Sequence, residues 1–148
     1  LAAGDWWPCD YGPDLSRGFR ALKTWFTLRT YGVDALGEAM AANCALARAL
    51  AERVDAAPEL ERLAPVALNI VCFRYSRGAS DALNAGIVAD LQEAGEVAPS
   101  LTTVDGRKAI RAAIVNHRTR REDIDRLVDS VLAHGRRGLQ TLAMEAAR

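Results

Sequence analysis

The segment VAPSLTTVDGRKAIRAAIV, residues 97–115, contains two runs of apolar and β-branched residues on either side of Asp105-Gly106. An Asp-Gly pair in this setting is typical of a two-residue hairpin turn, because both turn positions need positive φ angles. We therefore predict two antiparallel strands, over residues 97–104 and 107–115. A hairpin of this kind indicates that the fold contains an antiparallel sheet.

A third strand is predicted upstream, over residues 65–75, where the apolar pattern repeats every second residue. The residues alternate between two faces: Val66, Leu68, Ile70 and Cys72 on one, and Ala67, Asn69, Val71 and Phe73 on the other. Apolar residues on both faces are typical of a largely buried strand.

Two helices are predicted before this strand. Residues 1–15 are rich in Gly, Pro, Asp and aromatic residues, which predicts a turn-rich lead-in. A helix over residues 17–31 follows, with Ser16 as its N-cap and Gly32 at its end. Asp34 is predicted to cap a second helix that ends before Pro58. Its apolar positions recur at helical spacing: Leu36, Met40, Cys44, Ala47, Leu50, Ala51 and Val54.

Two more helices flank the hairpin. Ser80 is predicted to cap one that ends at Gly95, and Thr119 with Glu122 fits a capping box that starts the other. Their apolar positions are Leu83, Ile87, Val88 and Leu91, then Ile124, Leu127, Val128, Val131 and Leu132. The order of elements predicts an α+β fold, a small antiparallel sheet with helices on one face. The strand order is not readable from the sequence.

The composition limits the possible functions. The length of 148 residues suits one domain, and 19 basic residues balance 19 acidic ones, which disfavours binding to nucleic acid or an anionic membrane. No apolar run approaches the roughly 20 residues needed to cross a bilayer. Three separated cysteines, Cys9, Cys44 and Cys72, predict reduced thiols in a cytoplasmic protein. No cluster with metal-ligand spacing and no glycine-rich phosphate loop is present in the sequence.

Arg111 is the residue whose position is chemically unusual, because it interrupts an apolar strand. A buried guanidinium needs an anionic partner, which makes Arg111 a candidate anion ligand. The alternative is that this face of the sheet is partly solvated, or that Arg111 pairs with a nearby carboxylate. A second basic group, Arg118, Arg120 and Arg121, could bind a phosphate or an acidic partner, although charges at helix starts are usually solvated.

Three stretches resemble a known family. They are SRGFRALKTW with LRTYG (residues 16–25 and 28–32), LNIVCFR (68–74), and IRAAIVNHRT with EDID (110–119 and 122–125). In this order they resemble the group II pyridoxal-phosphate-dependent amino-acid decarboxylases, which include the aromatic-L-amino-acid, tyrosine and glutamate decarboxylases. The resemblance runs from about residue 5 to residue 132.

The resemblance implies the carboxy-terminal portion of a homodimeric fold-type I enzyme. Residues 1–32 would be the tail of the large domain that binds pyridoxal 5'-phosphate, and residues 33–148 the C-terminal small domain. Arg111 falls at the position that holds the α-carboxylate of the amino-acid substrate. The family's cofactor lysine follows a histidine upstream, and neither Lys23 nor Lys108 fits that position, so the resemblance implies no catalytic residue and no metal in this chain.

The expected function is therefore that of a carboxy-lyase, in which this chain supplies substrate contact and dimer surface and is inactive alone. The rival hypothesis is a freestanding non-catalytic α+β module that binds a small ligand or a partner protein. A large domain with a His-Lys pair encoded upstream of Leu1 would support the first, and a start codon at Leu1 the second.

Overall fold

The computed structural model describes residues 18–78 and 80–146. The chain divides into two compact units, with the boundary between Gly37 and Glu38. The first helix, α1 (Arg20–Asp55), crosses this boundary and is interrupted at Gly32, whose backbone has φ 80° and ψ 161°. The predicted end of a helix at Gly32 is thus confirmed, because glycine alone adopts such angles without strain. The lead-in over residues 1–15 and the Ser16 cap lie outside the described residues.

The second unit contains a four-stranded antiparallel sheet with the strand order β1-β2-β4-β3. The strands are β1 (Leu60–Arg62), β2 (Ile70–Tyr75), β3 (Ser100–Val104) and β4 (Arg107–Ala113). The β3–β4 hairpin turns at Asp105 and Gly106, whose φ angles are 48° and 76°. The predicted Asp-Gly hairpin is confirmed, and positive φ at both positions is the property that selects these residues.

The predicted strand bounds need correction. Strand β2 starts at Ile70 and not at residue 65, because the segment before Ile70 bends. At this bend the Asn69 Nδ2 donates a hydrogen bond to the carbonyl of Ile114, the residue that follows β4, at 2.8 Å. Strand β3 starts at Ser100, directly after Pro99, which has no N–H to donate to a ladder. Strand β1 was not predicted, since three residues are too few to show a period.

The hydrophobic core lies on one face of the sheet, as the α+β prediction requires. Val71 and Phe73 of β2 and Ile110 of β4 are fully buried on this face. Helices α2 (Asp81–Glu93) and α3 (Arg121–Ala146) and the part of α1 after the boundary supply the rest of the core. Their buried apolar residues are Ala47, Leu50, Val54, Ile87, Val88, Leu91, Ile124, Leu127, Val128 and Val131. Met40, predicted on the apolar face of its helix, is instead 68% exposed.

The helix caps agree with the sequence at α2 and differ at α3. The Ser80 hydroxyl accepts a hydrogen bond from the Leu83 amide at 3.1 Å, as predicted. At α3 the capping box lies one residue later than predicted, because the helix begins at Arg121. The Asp123 carboxylate accepts a hydrogen bond from the Arg120 amide at 2.9 Å. The predicted pair of Thr119 and Glu122 is therefore wrong. The acidic residue three positions after the cap still bonds back to the cap amide, but the residues that do so are Arg120 and Asp123.

Two close contacts join the end of β2 to the helices. Asn84 of α2 is fully buried; its Oδ1 accepts from the Tyr75 amide at 2.9 Å, and its Nδ2 donates to the Tyr75 and Ser80 carbonyls, each at 3.1 Å. On α3, a Cβ added at Gly135 would lie under 3.0 Å from three ring carbons of Tyr75. Tyr75 is thus held by a side-chain amide on one helix and packed against bare backbone on another.

An ion pair connects α3 to the residue before β1. Arg136 Nη2 lies 2.7 Å from Glu59 Oε1. The hydrogen bond from Arg136 lowers the pKa of Glu59 below its ordinary value near 4.5, although partial desolvation acts in the opposite direction. The pair therefore stabilises the folded chain only while Glu59 is ionised.

We expect Arg136→Gln to lower the thermal unfolding temperature near neutral pH, and the difference from the parent chain to vanish in acid. Because the pKa of Glu59 is lower in the folded than in the unfolded state, the stability from the pair is fully present above the unfolded pKa and is lost as the pH falls through the folded pKa. Melting curves across this pH range measure the effect. Arg118→Gln, at an exposed loop arginine, is the control. An equal difference at every pH would contradict the prediction.

Among the described residues, no helix has a stretch long and apolar enough to span a membrane.

Candidate functional site

The sheet face opposite the core carries the candidate site. We call it the open sheet face and define it by Ile70 and Cys72 of β2, Ser100 of β3, and Arg111 and Ala113 of β4, all exposed or half-buried. These residues share one face because side chains alternate along a strand, and their neighbours Val71, Ile110 and Ala112 lie in the core. The register places Cys72 and Ser100 directly opposite Arg111 on either side.

Arg111 is half-buried on this face. The Ser100 hydroxyl donates to its carbonyl oxygen at 3.3 Å. Its guanidinium has neither a hydrogen bond nor an ion pair with any residue in the ranges 18–78 and 80–146. Arg74, in contrast, is buried and lies 3.2 Å from the Asp81 carboxylate. The open sheet face leaves Arg111 partly solvated, as the alternative expects, but no nearby carboxylate pairs with it in the described part of the chain. Its five N–H donors can bind an outside anion.

Two apolar cavities lie beside the open sheet face. One of about 330 Å³ is lined by Cys72 and Ile70 together with the bend before β2, namely Ala64, Pro65, Ala67, Leu68 and Asn69. The second, about 280 Å³, shares Leu68 and Asn69 and extends to Met40, Asn43 and Cys44. Cys44 and Cys72 are free thiols, whereas Cys9 lies outside the described residues. The sequence did not predict these cavities, because the bend was read as strand.

The basic cluster is solvated. Arg118, Arg120 and Arg121 are exposed, and Arg121 Nε lies 3.8 Å from Asp125 on the next turn of α3. His117 is also exposed, in the loop that follows β4. This arrangement agrees with the expectation that charges at a helix start face water.

Neither lysine is among the residues that form the open sheet face. Lys23 is exposed on α1, in the first unit. Lys108 is in the hairpin, where its Nζ lies 3.3 Å from the Thr103 hydroxyl. Neither lines the two cavities beside the open sheet face. In the part of the chain that the structure describes, no three His, Cys, Asp or Glu side chains are grouped so as to hold a metal ion.

His134 of α3 is a buried polar residue that was not predicted to have a role. Its Nε2 lies 3.5 Å from Glu96 Oε1 but makes no hydrogen bond, and its Nδ1 lies 3.7 Å from Asp90 Oδ2. The pKa of Glu96 is lowered, first by a hydrogen bond with Ser130 and then by His134, while partial desolvation opposes both. Glu96 therefore faces the imidazole as a carboxylate.

Comparisons with known proteins bear on this fold and site. The family profile described as "Pyridoxal-dependent decarboxylase conserved domain" matches residues 9–76. Aromatic-L-amino-acid decarboxylase of Bacillus atrophaeus is 30% identical over 128 residues, which is 82% of this chain and 27% of that protein. Tyrosine decarboxylase 4 of Petroselinum crispum is 33% identical over 109 residues, 68% of this chain and 22% of that protein.

The chain is also similar to solved structures of decarboxylases. Catharanthus roseus tryptophan decarboxylase in complex with L-tryptophan matches with a TM-score of 0.72 and 28% identity, over 80% of this chain and 26% of that one. Oryza sativa TDC with PLP and tryptamine matches with a TM-score of 0.76 and 26% identity, over 86% and 29%. The chain thus spans about a quarter of the length of the proteins it matches.

Proposed function

The chain belongs to the pyridoxal-dependent decarboxylase family, whose cofactor is pyridoxal phosphate, and from this premise we propose that it is the carboxy-terminal portion of an amino-acid decarboxylase. Residues 1–32 would be the tail of the large domain and residues 33–148 the small domain. The interruption of α1 at Gly32 and the separate sheet-and-helix unit after Gly37 support a division in this region.

The described lysines do not fit the role of the lysine that holds the cofactor. Lys23 and Lys108 lie in different units, and Lys108 is engaged by Thr103 in the hairpin. Neither lysine lines the two cavities beside the open sheet face. We propose that the rest of the protein binds pyridoxal phosphate, which accepts the electrons released as CO2 leaves.

The observation that carries the proposal is the half-buried guanidinium of Arg111, which has no partner among the described residues. A guanidinium matches the two oxygens of a carboxylate with two parallel hydrogen bonds. Arg111 would hold the substrate's α-carboxylate in one orientation, so that the bond to be broken is correctly placed. Cys72 of β2 and Ser100 of β3 are the strand partners of Arg111, so β4 is held between two strands at this position.

The expected partners are the upstream large domain and a second copy of the protein. Exposed aromatic side chains of the first unit support this: Phe19 is 72%, Trp25 54% and Phe26 55% exposed. Trp25 and Phe26 pack edge to face with ring centroids 5.1 Å apart. Large apolar surfaces of this kind are typical of regions that another protein surface covers.

We expect the full-length protein with pyridoxal phosphate to release CO2 from an L-amino acid, and the 148-residue chain alone to release none. After borohydride treatment, mass spectrometry of the chain alone should show no pyridoxyl group on Lys23 or Lys108, because neither lysine lies in a preformed phosphate site. A stoichiometric adduct on either would contradict the proposal. Binding of an amino acid by the full-length protein without loss of CO2 would favour the non-catalytic module.

A further inference from the structure

We propose that the cavity between α1 and the bend before β2 binds a small neutral molecule that carries a primary carboxamide and an aromatic ring. We call it the Asn43 cavity, and its lining residues are Met40, Asn43, Cys44, Leu68 and Asn69. Its volume of about 280 Å³ is close to the lower end of the roughly 300–1,000 Å³ range of small-molecule sites. Arg111 does not line it, so the proposal does not depend on the proposed function.

The buried amide of Asn43 supplies the first argument. Asn43 is about nine-tenths buried, yet its side chain makes no hydrogen bond with any part of the chain that the structure describes. A buried amide is normally bonded, because its desolvation is otherwise uncompensated. Asn84 follows this rule, since its amide bonds to the backbone of Tyr75 and Ser80. The Asn43 amide therefore offers one acceptor and two donors to a molecule in the cavity.

The amide of Asn69 supplies the second argument. Its orientation is fixed, because Nδ2 donates to the Ile114 carbonyl at 2.8 Å. Its Oδ1 has no hydrogen bond within residues 18–78 and 80–146 and is left as an acceptor. The Oδ1 atoms of Asn43 and Asn69 can accept the two N–H groups of a primary carboxamide, whose carbonyl oxygen accepts from Asn43 Nδ2. The cavity thus offers a partner to each N–H and to the carbonyl of such a group.

The rest of the lining selects a neutral ligand with an apolar body. None of the lining residues is charged, so an ionised ligand would lose hydration without gaining an opposite charge. Met40 and Leu68 are each 68% exposed, and an apolar group that covers them would gain affinity by burying this surface. A methionine sulfur also makes favourable contacts with aromatic rings, which favours a ring as the apolar group.

Titration calorimetry of the full-length protein with benzamide tests the proposal. We expect saturable binding that Asn43→Leu weakens by about 10-fold, because two neutral hydrogen bonds are lost. The Asn43 side chain bonds to no described residue, so this substitution breaks no hydrogen bond there. Arg48→Gln is the matched control, because Arg48 is an exposed residue of the same helix that does not line the cavity, and it should leave the affinity unchanged.

Three analogues of benzamide test the chemistry of the site in the parent protein. Benzoate carries a charge and has no N–H donor, acetamide lacks the ring, and toluene lacks the polar group, so each should bind more weakly than benzamide. Benzoate or toluene that binds as tightly as benzamide would overturn the proposal. This comparison needs no variant, so it decides the question even where Asn43→Leu fails to fold.

The variants decide where benzamide binds. Absence of saturable binding to the parent protein, or equal affinity in the parent protein and Asn43→Leu, would overturn the proposal. Arg111→Met should bind benzamide as the parent protein does. Loss of benzamide binding in Arg111→Met with normal binding in Asn43→Leu would also overturn the proposal, because the ligand would then lie at the open sheet face. Normal turnover by Arg111→Met, with benzamide binding still dependent on Asn43, would show that the proposed role of Arg111 had failed and this inference had not.

Discussion

Arg111→Met in the full-length enzyme is expected to lower kcat/KM by roughly 10- to 150-fold while cofactor binding and dimerisation stay unchanged. The guanidinium of Arg111 has no partner among the described residues, so its removal breaks no internal ion pair there, and the loss should come from the substrate contact. A charge-assisted hydrogen bond contributes about 1.5–3 kcal/mol, which gives this range of rates. Because the contact orients the substrate, kcat should fall as well as affinity.

Two variants make this result specific. Arg111→Lys should restore only part of the activity, since an ammonium keeps the charge but cannot form two parallel hydrogen bonds. Arg107→Met, in the same strand, removes an exposed arginine that pairs with Glu61 at 2.8 Å, and should have little effect on kcat/KM. Near-normal turnover of an amino acid by Arg111→Met would mean that Arg111 is only a solvated strand residue.

Asn84→Leu is expected to destabilise the folded chain by about 3 kcal/mol or more. Leucine has a similar size but cannot bond to the Tyr75 amide and carbonyl, which the Asn84 side chain satisfies, whereas the Ser80 carbonyl keeps its hydrogen bond from the backbone amide of residue 84. Each buried backbone group left without a partner costs about 1–3 kcal/mol. Urea unfolding followed by circular dichroism measures the change in free energy, and hydrogen exchange at the Tyr75 amide reports on the local bond.

Ser80→Ala is the matched variant, because it removes the hydroxyl cap of the same helix and leaves Asn84 in place. Loss of an N-cap costs about 1 kcal/mol, so this variant should be clearly more stable than Asn84→Leu. If Ser80→Ala and Asn84→Leu were equally stable, the buried Asn84 amide would contribute no more to the free energy of unfolding than the exposed Ser80 cap. The interpretation of Asn84 as the link between β2 and α2 would then be wrong.

The sequence predicted correctly those turns, caps and helix ends that depend only on neighbouring residues. The Asp105-Gly106 turn, the Ser80 cap and the interruption at Gly32 each follow from the backbone angles or hydrogen bonds of adjacent residues. Strand β2 was predicted five residues too long, because alternation shows which residues are apolar but not where pairing stops. Asn69 ends that strand through a bond to Ile114, a residue far along the chain, and no local pattern indicates it.

The candidate site was predictable only as a single residue. Arg111 is visible in the sequence because a charge interrupts an apolar run, but its neighbours depend on the strand register, which places Cys72 of β2 and Ser100 of β3 beside it. The surroundings of His134 depend on the packing of α2 against α3, which brings His134 next to Asp90 from a distant part of the sequence, so they could not be inferred. Arg111's role as a carboxylate ligand rests on the family resemblance and stays a prediction.

The contact between Tyr75 and Gly135 limits how this part of the sequence can evolve. Any side chain at position 135 would overlap the Tyr75 ring, and the ring itself is fully buried, so neither residue can change alone without strain or a cavity. Homologous sequences should therefore show correlated substitution at these two positions. Where Tyr75 is replaced by a smaller residue, alanine or serine becomes acceptable in place of Gly135, and lineages that keep the tyrosine should keep the glycine.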